Sequence, residues 1–162
     1  MNITRHLITI SVFSALSIVG GLIKLPSFAG SVALDSAPGF FVAAFYSPIL
    51  GAIVGLIGHL GSAATGGMPL GILHFAIAPL MFVICWVFGA IARKGASWLF
   101  LAGAAIIACG LNSVVLPLIL IPIGLPKEVA FALMPFLAFA SALNLLLASI
   151  AAWASTKFRP GA

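Results

Sequence analysis

The chain has 162 residues, 64% of them apolar and only 6% charged, with seven Lys or Arg against two Asp or Glu. A soluble domain carries about 25% charged residues, so so few charges cannot cover a water-exposed surface, and most of this surface faces lipid. The length suits one bundle, a single transmembrane domain over residues 1–162, and leaves no room for a second.

Uncharged runs over residues 7–23, 36–92, 95–126 and 129–156 locate the membrane spans, because a crossing helix needs about 20 apolar residues. The first run is a span. A cleaved signal peptide needs a mature domain behind it, and here apolar sequence continues instead. Basic residues favour the cytoplasmic ends of spans. Placing Arg5, the Arg93-Lys94 pair, Lys157 and Arg159 inside leaves Lys24, Asp35, Lys127 and Glu128 outside. Between Lys24 and Arg93 the chain then crosses an odd number of times. The 36–92 run is too long for one crossing, so three is the natural count.

The expected architecture is an all-α integral membrane bundle of six transmembrane helices with both termini cytoplasmic. The spans fall at residues 5–23, 36–46, 48–64, 70–92, 97–121 and 128–156. The second is short, with Pro38-Gly39 at its start and Ser47-Pro48 at its end; proline favours helix starts and breaks interiors. Pro117 and Pro122 are expected to kink or end the fifth helix. The outer connections are 24–35, 65–69 and 124–127, the first by far the longest.

Helices in lipid associate through small residues. The third span carries Gly51, Gly55, Gly58 and Ser62 on one stripe. The first carries Ser11, Ala15 and Val19, with Ser14, Ser17 and Gly21 beside them, and the sixth carries Ala138, Ala142, Ala148 and Ala152. Such a stripe either packs helices within the chain or docks a partner subunit. Cys85 and Cys109 sit in apolar runs without metal-like spacing and read as inert buried thiols.

Polar groups inside a membrane are expensive and therefore functional candidates. His59, His74, Asn112 and Asn144 lie within spans, and Asp35 stands where the first outer loop enters the second. Each also has a structural reading. The histidines and amides can bridge helices, and Asp35 can cap the second helix. Phe28, Phe40, Phe41, Phe75, Trp86 and Phe136 are the aromatics expected around them. The chain has no carboxylate deep in a span, which disfavours a self-sufficient proton pump. It has no phosphate-binding loop, no Cys/His metal cluster and no catalytic triad spacing. No cofactor is expected. His59 and His74, on adjacent antiparallel helices, leave open a haem carrier or membrane enzyme; a solitary facilitator is the other rival.

Six short helices, a long first outer loop and a small-residue first helix resemble the substrate-binding S components of energy-coupling factor vitamin transporters. Gly30-Ser-Val-Ala-Leu-Asp35-Ser-Ala-Pro-Gly39 resembles the family's loop and second-helix entry. Tyr46-Ser-Pro-Ile-Leu-Gly51-Ala-Ile-Val-Gly55-Leu-Ile-Gly58-His59-Leu looks like its second-to-third helix turn, and Thr65-Gly-Gly-Met-Pro-Leu-Gly71-Ile-Leu-His74 continues the likeness. Val-Ala-Leu-Asp35-Ser together with Gly-His59-Leu looks most like the branch assigned to α-ribazole, a cobalamin precursor made of dimethylbenzimidazole joined to ribose.

The resemblance implies a binding subunit rather than an enzyme, in the cell membrane of a prokaryote. Its partners would be a small vitamin or precursor, a transmembrane coupling subunit, two ATPases and the lipid bilayer, but no nucleic acid. The implied substrate-binding residues are Asp35, Ser36, Phe40, His59, Met68, His74, Asn112 and Asn144. Where the family carries Ala-x-x-x-Ala on the first helix for docking on the coupling subunit, this chain has Ser11-x-x-x-Ala15.

Overall fold

The computed structural model describes residues 2–25, 32–95 and 97–157. Among them are six helices: α1 (Ile3–Gly20), α2 (Ala37–Phe45), α3 (Pro48–Thr65), α4 (Leu73–Ala92), α5 (Trp98–Ile123) and α6 (Lys127–Lys157). No strand occurs among the described residues beyond one isolated antiparallel bridge between Lys24 and Ala33. Five of the helices are long and apolar enough to cross a bilayer. The exception is α2. Its nine residues reach about 13 Å at 1.5 Å per residue, against a hydrocarbon core of about 30 Å.

Apolar on every side, α2 is the buried centre of the bundle. Phe40, Val42 and Ala43 have no exposed surface, and the helix packs on α1, α3, α4 and α6. Both its ends are closed by side chains from elsewhere. At the C-terminal end Arg93 Nη1 donates to the Ala44 and Phe45 carbonyls, each at 3.1 Å, which satisfies orphan acceptors and places a cation against the helix dipole. At the other end the Ser36 side chain makes no capping bond. Asn144 of α6 supplies the acceptor instead.

The small-residue stripe of α3 sets the helix directions. Gly51 lies against the Ala43 backbone, Gly55 against Gly39 and Cys85, and Gly58 against Ser17. Ile18 covers Gly61, and Ser62 meets Gly21. Position rises together along α1 and α3, so the two helices run parallel, and the intervening segment returns the chain to the starting level. Between Ala43–Gly51 and Gly39–Gly55 the order is reversed, so α2 is antiparallel to α3.

Pro117 does not end α5. Immediately before it, residues Leu111–Val115 widen into a π-helical turn. This accommodates the missing N–H and the clash a proline ring makes with the preceding turn. There the Ser113 hydroxyl donates to the Cys109 carbonyl at 2.7 Å. The helix then continues to a 3-10 turn at Ile121–Ile123 that includes Pro122. Gly124, at φ 119°, turns the chain into α6. Both cysteines are free, Cys85 buried and Cys109 partly so. The outer surface is apolar, with Ile8, Val12, Leu16 and Val19 of α1 and Leu146 and Ile150 of α6 all exposed.

Candidate functional site

The polar residues of α3, α4, α5 and α6 converge on one cavity of about 70 Å³. Asp35, Ser36, His59, His74, Asn112 and Asn144 line it; Phe40 and Met68 do not. Phe40 is instead packed edge-on against Phe88 with ring centroids 5.2 Å apart. Met68 sits in the α3–α4 turn at φ 53°. Apart from Ser141 the remaining walls are aliphatic, including Ile77, Met81, Leu116 and Leu133, and no Phe, Tyr or Trp ring among the described residues joins them. Phe41 packs with Phe13, Phe45 and Tyr46, while Phe75, Trp86 and Phe136 lie exposed at 62%, 47% and 36%. Phe28 lies outside the described residues. A larger apolar cleft of about 740 Å³ opens sideways between α5 and α6, but it lacks converging ionisable or amide groups.

The first outer connection folds back on itself. Leu25 N–H donates to the Val32 carbonyl at 3.0 Å and Leu34 N–H to that of Ile23 at 3.3 Å. This brings Val32 and Ala33 onto the cavity. Across it, Leu70 closes the α3–α4 side, where Gly67, Met68 and Gly71 all have positive φ. Residues 26–31 of the expected roof lie outside the described residues.

Two amides behave differently. Asn144 is 1% exposed and uses its full hydrogen-bonding capacity. Its Oδ1 accepts from Ser36 N–H at 3.2 Å and Ala37 N–H at 2.8 Å. Its Nδ2 donates to the Ala33 and Ala140 carbonyls at 3.1 and 2.9 Å. An Asn amide offers two acceptor and two donor positions, so Asn144 holds the loop and the start of α2 onto α6 and has none left over. The cap expected from Asp35 is thus made by Asn144. Asn112 donates to the Ser141 hydroxyl at 2.6 Å, and both residues line the cavity. Replacing Asn144 with Leu leaves two backbone donors and one acceptor buried and unpaired. The expected cost is about 2–4 kcal/mol, read as a lower thermal midpoint in detergent. An exposed substitution such as Ser11→Ala should leave that midpoint unmoved.

The ionisable groups form a chain. Leu70 N–H donates to His74 Nε2 at 3.3 Å, and His74 Nδ1 lies 3.1 Å from His59 Nε2. His59 Nδ1 then faces Asp35 Oδ2 at 4.0 Å. The direct contact between the rings leaves no room for a porphyrin plane between them. His74 is 2% exposed, and the Asp35 and His59 side chains are 17% and 15% exposed. Lys24 and Ser62 stand beside Asp35, His59 and His74 at one edge of this chain of groups.

Sequence reasoning read Ser62 only as a packing residue and passed over Ser141. Each follows a candidate by one helical turn or precedes it: Ser62 comes three residues after His59, and Ser141 three before Asn144. That spacing puts both on the same faces.

Residues 5–158 match the family described as the ECF transporter, substrate-specific component. No curated protein matches the sequence.

Proposed function

We propose, from the premise that the chain belongs to the family of ECF transporter substrate-specific components, that it captures α-ribazole from outside the cell for import. Proteins of this family are substrate-binding membrane subunits, not enzymes, and associate with the subunits of an energising module. The chain accordingly is a multi-pass membrane protein that binds a small molecule.

The observation that carries the substrate is the composition of the cavity wall. It combines one carboxylate, two histidines, two asparagine amides and two serines with aliphatic surface and no Lys or Arg. Such a lining suits an uncharged ligand with a flat apolar part and several hydroxyls, as a benzimidazole nucleoside has. Asp35, Ser36, His59, His74 and Asn112 are the contacts in this reading, with Asn144 holding the wall in place. Phe40 acts through the core, and Met68 through the turn that closes the site. Ligand sites occupy about 300–1,000 Å³, so the present cavity of about 70 Å³ is a contracted state. The two outer connections move apart to admit the nucleoside and close over it.

In the membrane α2 and the residues flanking it make the return crossing, for six crossings with both termini cytoplasmic in a prokaryotic cell membrane. The parallel course of α1 and α3 supports this. So does Arg93, which meets the end of α2 at the level of the cytoplasmic Arg93-Lys94 pair. The domain is one unit over residues 1–162. Two ATPases drive the cycle through a transmembrane coupling subunit that docks on Ser11 and Ala15. Calorimetry of the isolated protein with α-ribazole tests the substrate. Saturable heat is expected, and its absence would overturn the substrate while leaving the family standing.

A further inference from the structure

We infer that the space between Asp35 and His59 is a niche for a single ligand hydroxyl, which donates to Asp35 Oδ2 and accepts from His59 Nδ1–H. The inference deepens the nucleoside reading and rests on it.

The direction of the hydrogen-bond chain fixes the chemistry. A backbone N–H can only donate. His74 Nε2, facing Leu70 N–H, is therefore an acceptor, and the ring's proton sits on Nδ1. That proton points at His59 Nε2, which must accept, so the proton of His59 sits on Nδ1. Both rings are neutral by this geometry alone. The last donor of the chain faces Asp35 Oδ2 across 4.0 Å.

A separation of 4.0 Å is too long for a hydrogen bond and suggests an intervening atom. An oxygen placed about 2.8 Å from both groups subtends an angle of about 90°, which a hydroxyl accommodates as donor and acceptor at once. Few groups satisfy both partners. An ether oxygen cannot donate to the carboxylate, an ammonium cannot accept from the imidazole, and a phosphate brings a second negative charge against Asp35. Lys24, the nearest cation, has an exposed side chain, lines the outer mouth of the niche and makes no ion pair with Asp35 among the described residues. The niche therefore selects an uncharged alcohol, and Ser62 lines its wall beside the carboxylate.

The test compares α-ribazole with analogues lacking the 2′, 3′ or 5′ hydroxyl, by calorimetry on the whole protein. One analogue should bind the parent about ten- to hundredfold more weakly. On Asp35→Ala the same analogue and α-ribazole should bind alike, because the penalty has already been taken. Asp35→Asn, which keeps an acceptor, should restore part of the difference. Three analogues that bind the parent as tightly as α-ribazole would overturn the niche alone. The same follows if the sensitive analogue keeps its full penalty on Asp35→Ala. If the parent binds none of the four compounds, the substrate reading and the niche fall together. The analogue series on the parent decides the question even if the alanine variant does not fold.

Discussion

Replacing Ser11 and Ala15 with tryptophan is expected to abolish assembly with the coupling subunit while leaving ligand binding intact. The two residues lie one helical turn apart on the exposed face of α1, beside exposed Ile8, Val12 and Leu16. Ser14 and Ser17 face inward, Ser17 against Gly58. Of the five long helices α1 is the least buried. It thus presents a long apolar face with a smooth stripe along it. Close approach of helices in lipid depends on such stripes, and serine is as small as the role requires. Overpacking costs about 1–3 kcal/mol per site, so two bulky residues on one stripe should weaken association by about thirtyfold or more. No residue of α1 lines the cavity, so calorimetry on the isolated variant should match the parent. Undiminished co-purification with the coupling subunit would place the docking face elsewhere.

Asp35→Ala is expected to weaken α-ribazole binding by about ten- to hundredfold, the worth of one buried hydrogen bond to a charged group. His74→Ala should also weaken it, by a different route. His74 touches both Leu70 and His59, so its loss frees the α3–α4 turn and removes the donor that fixes the His59 proton. A faster release rate is the signature of that loosening. Unchanged affinity in both variants, with the fold intact, would remove the site from this cavity.

Much of the architecture was legible along the chain because hydrophobic runs and charge positions are local properties. The helix bounds inferred from uncharged runs differ from the observed ones by at most about three residues. The Gly51, Gly55, Gly58, Ser62 stripe was visible for the same reason. What escaped was whatever depends on distant partners. Asn144 was a plausible ligand contact in sequence, yet its four bonds reach Ala33, Ser36, Ala37 and Ala140, three of them more than a hundred positions away. The charge of Arg93 is visible in the sequence, but its bonds to the end of α2 cross nearly fifty positions. Phe40 reads as a substrate-binding residue because aromatic character is visible in sequence and the direction of a side chain is not. The π turn before Pro117 was hidden because proline announces a break without saying how a helix will absorb it.

Uptake of labelled α-ribazole into proteoliposomes tests the central claim most directly. The chain reconstituted with its coupling subunit and both ATPases should accumulate the label when ATP is supplied, and should not do so without ATP or with the chain alone. ATP-independent flux through the chain alone, or no accumulation by the complete complex, would contradict the account.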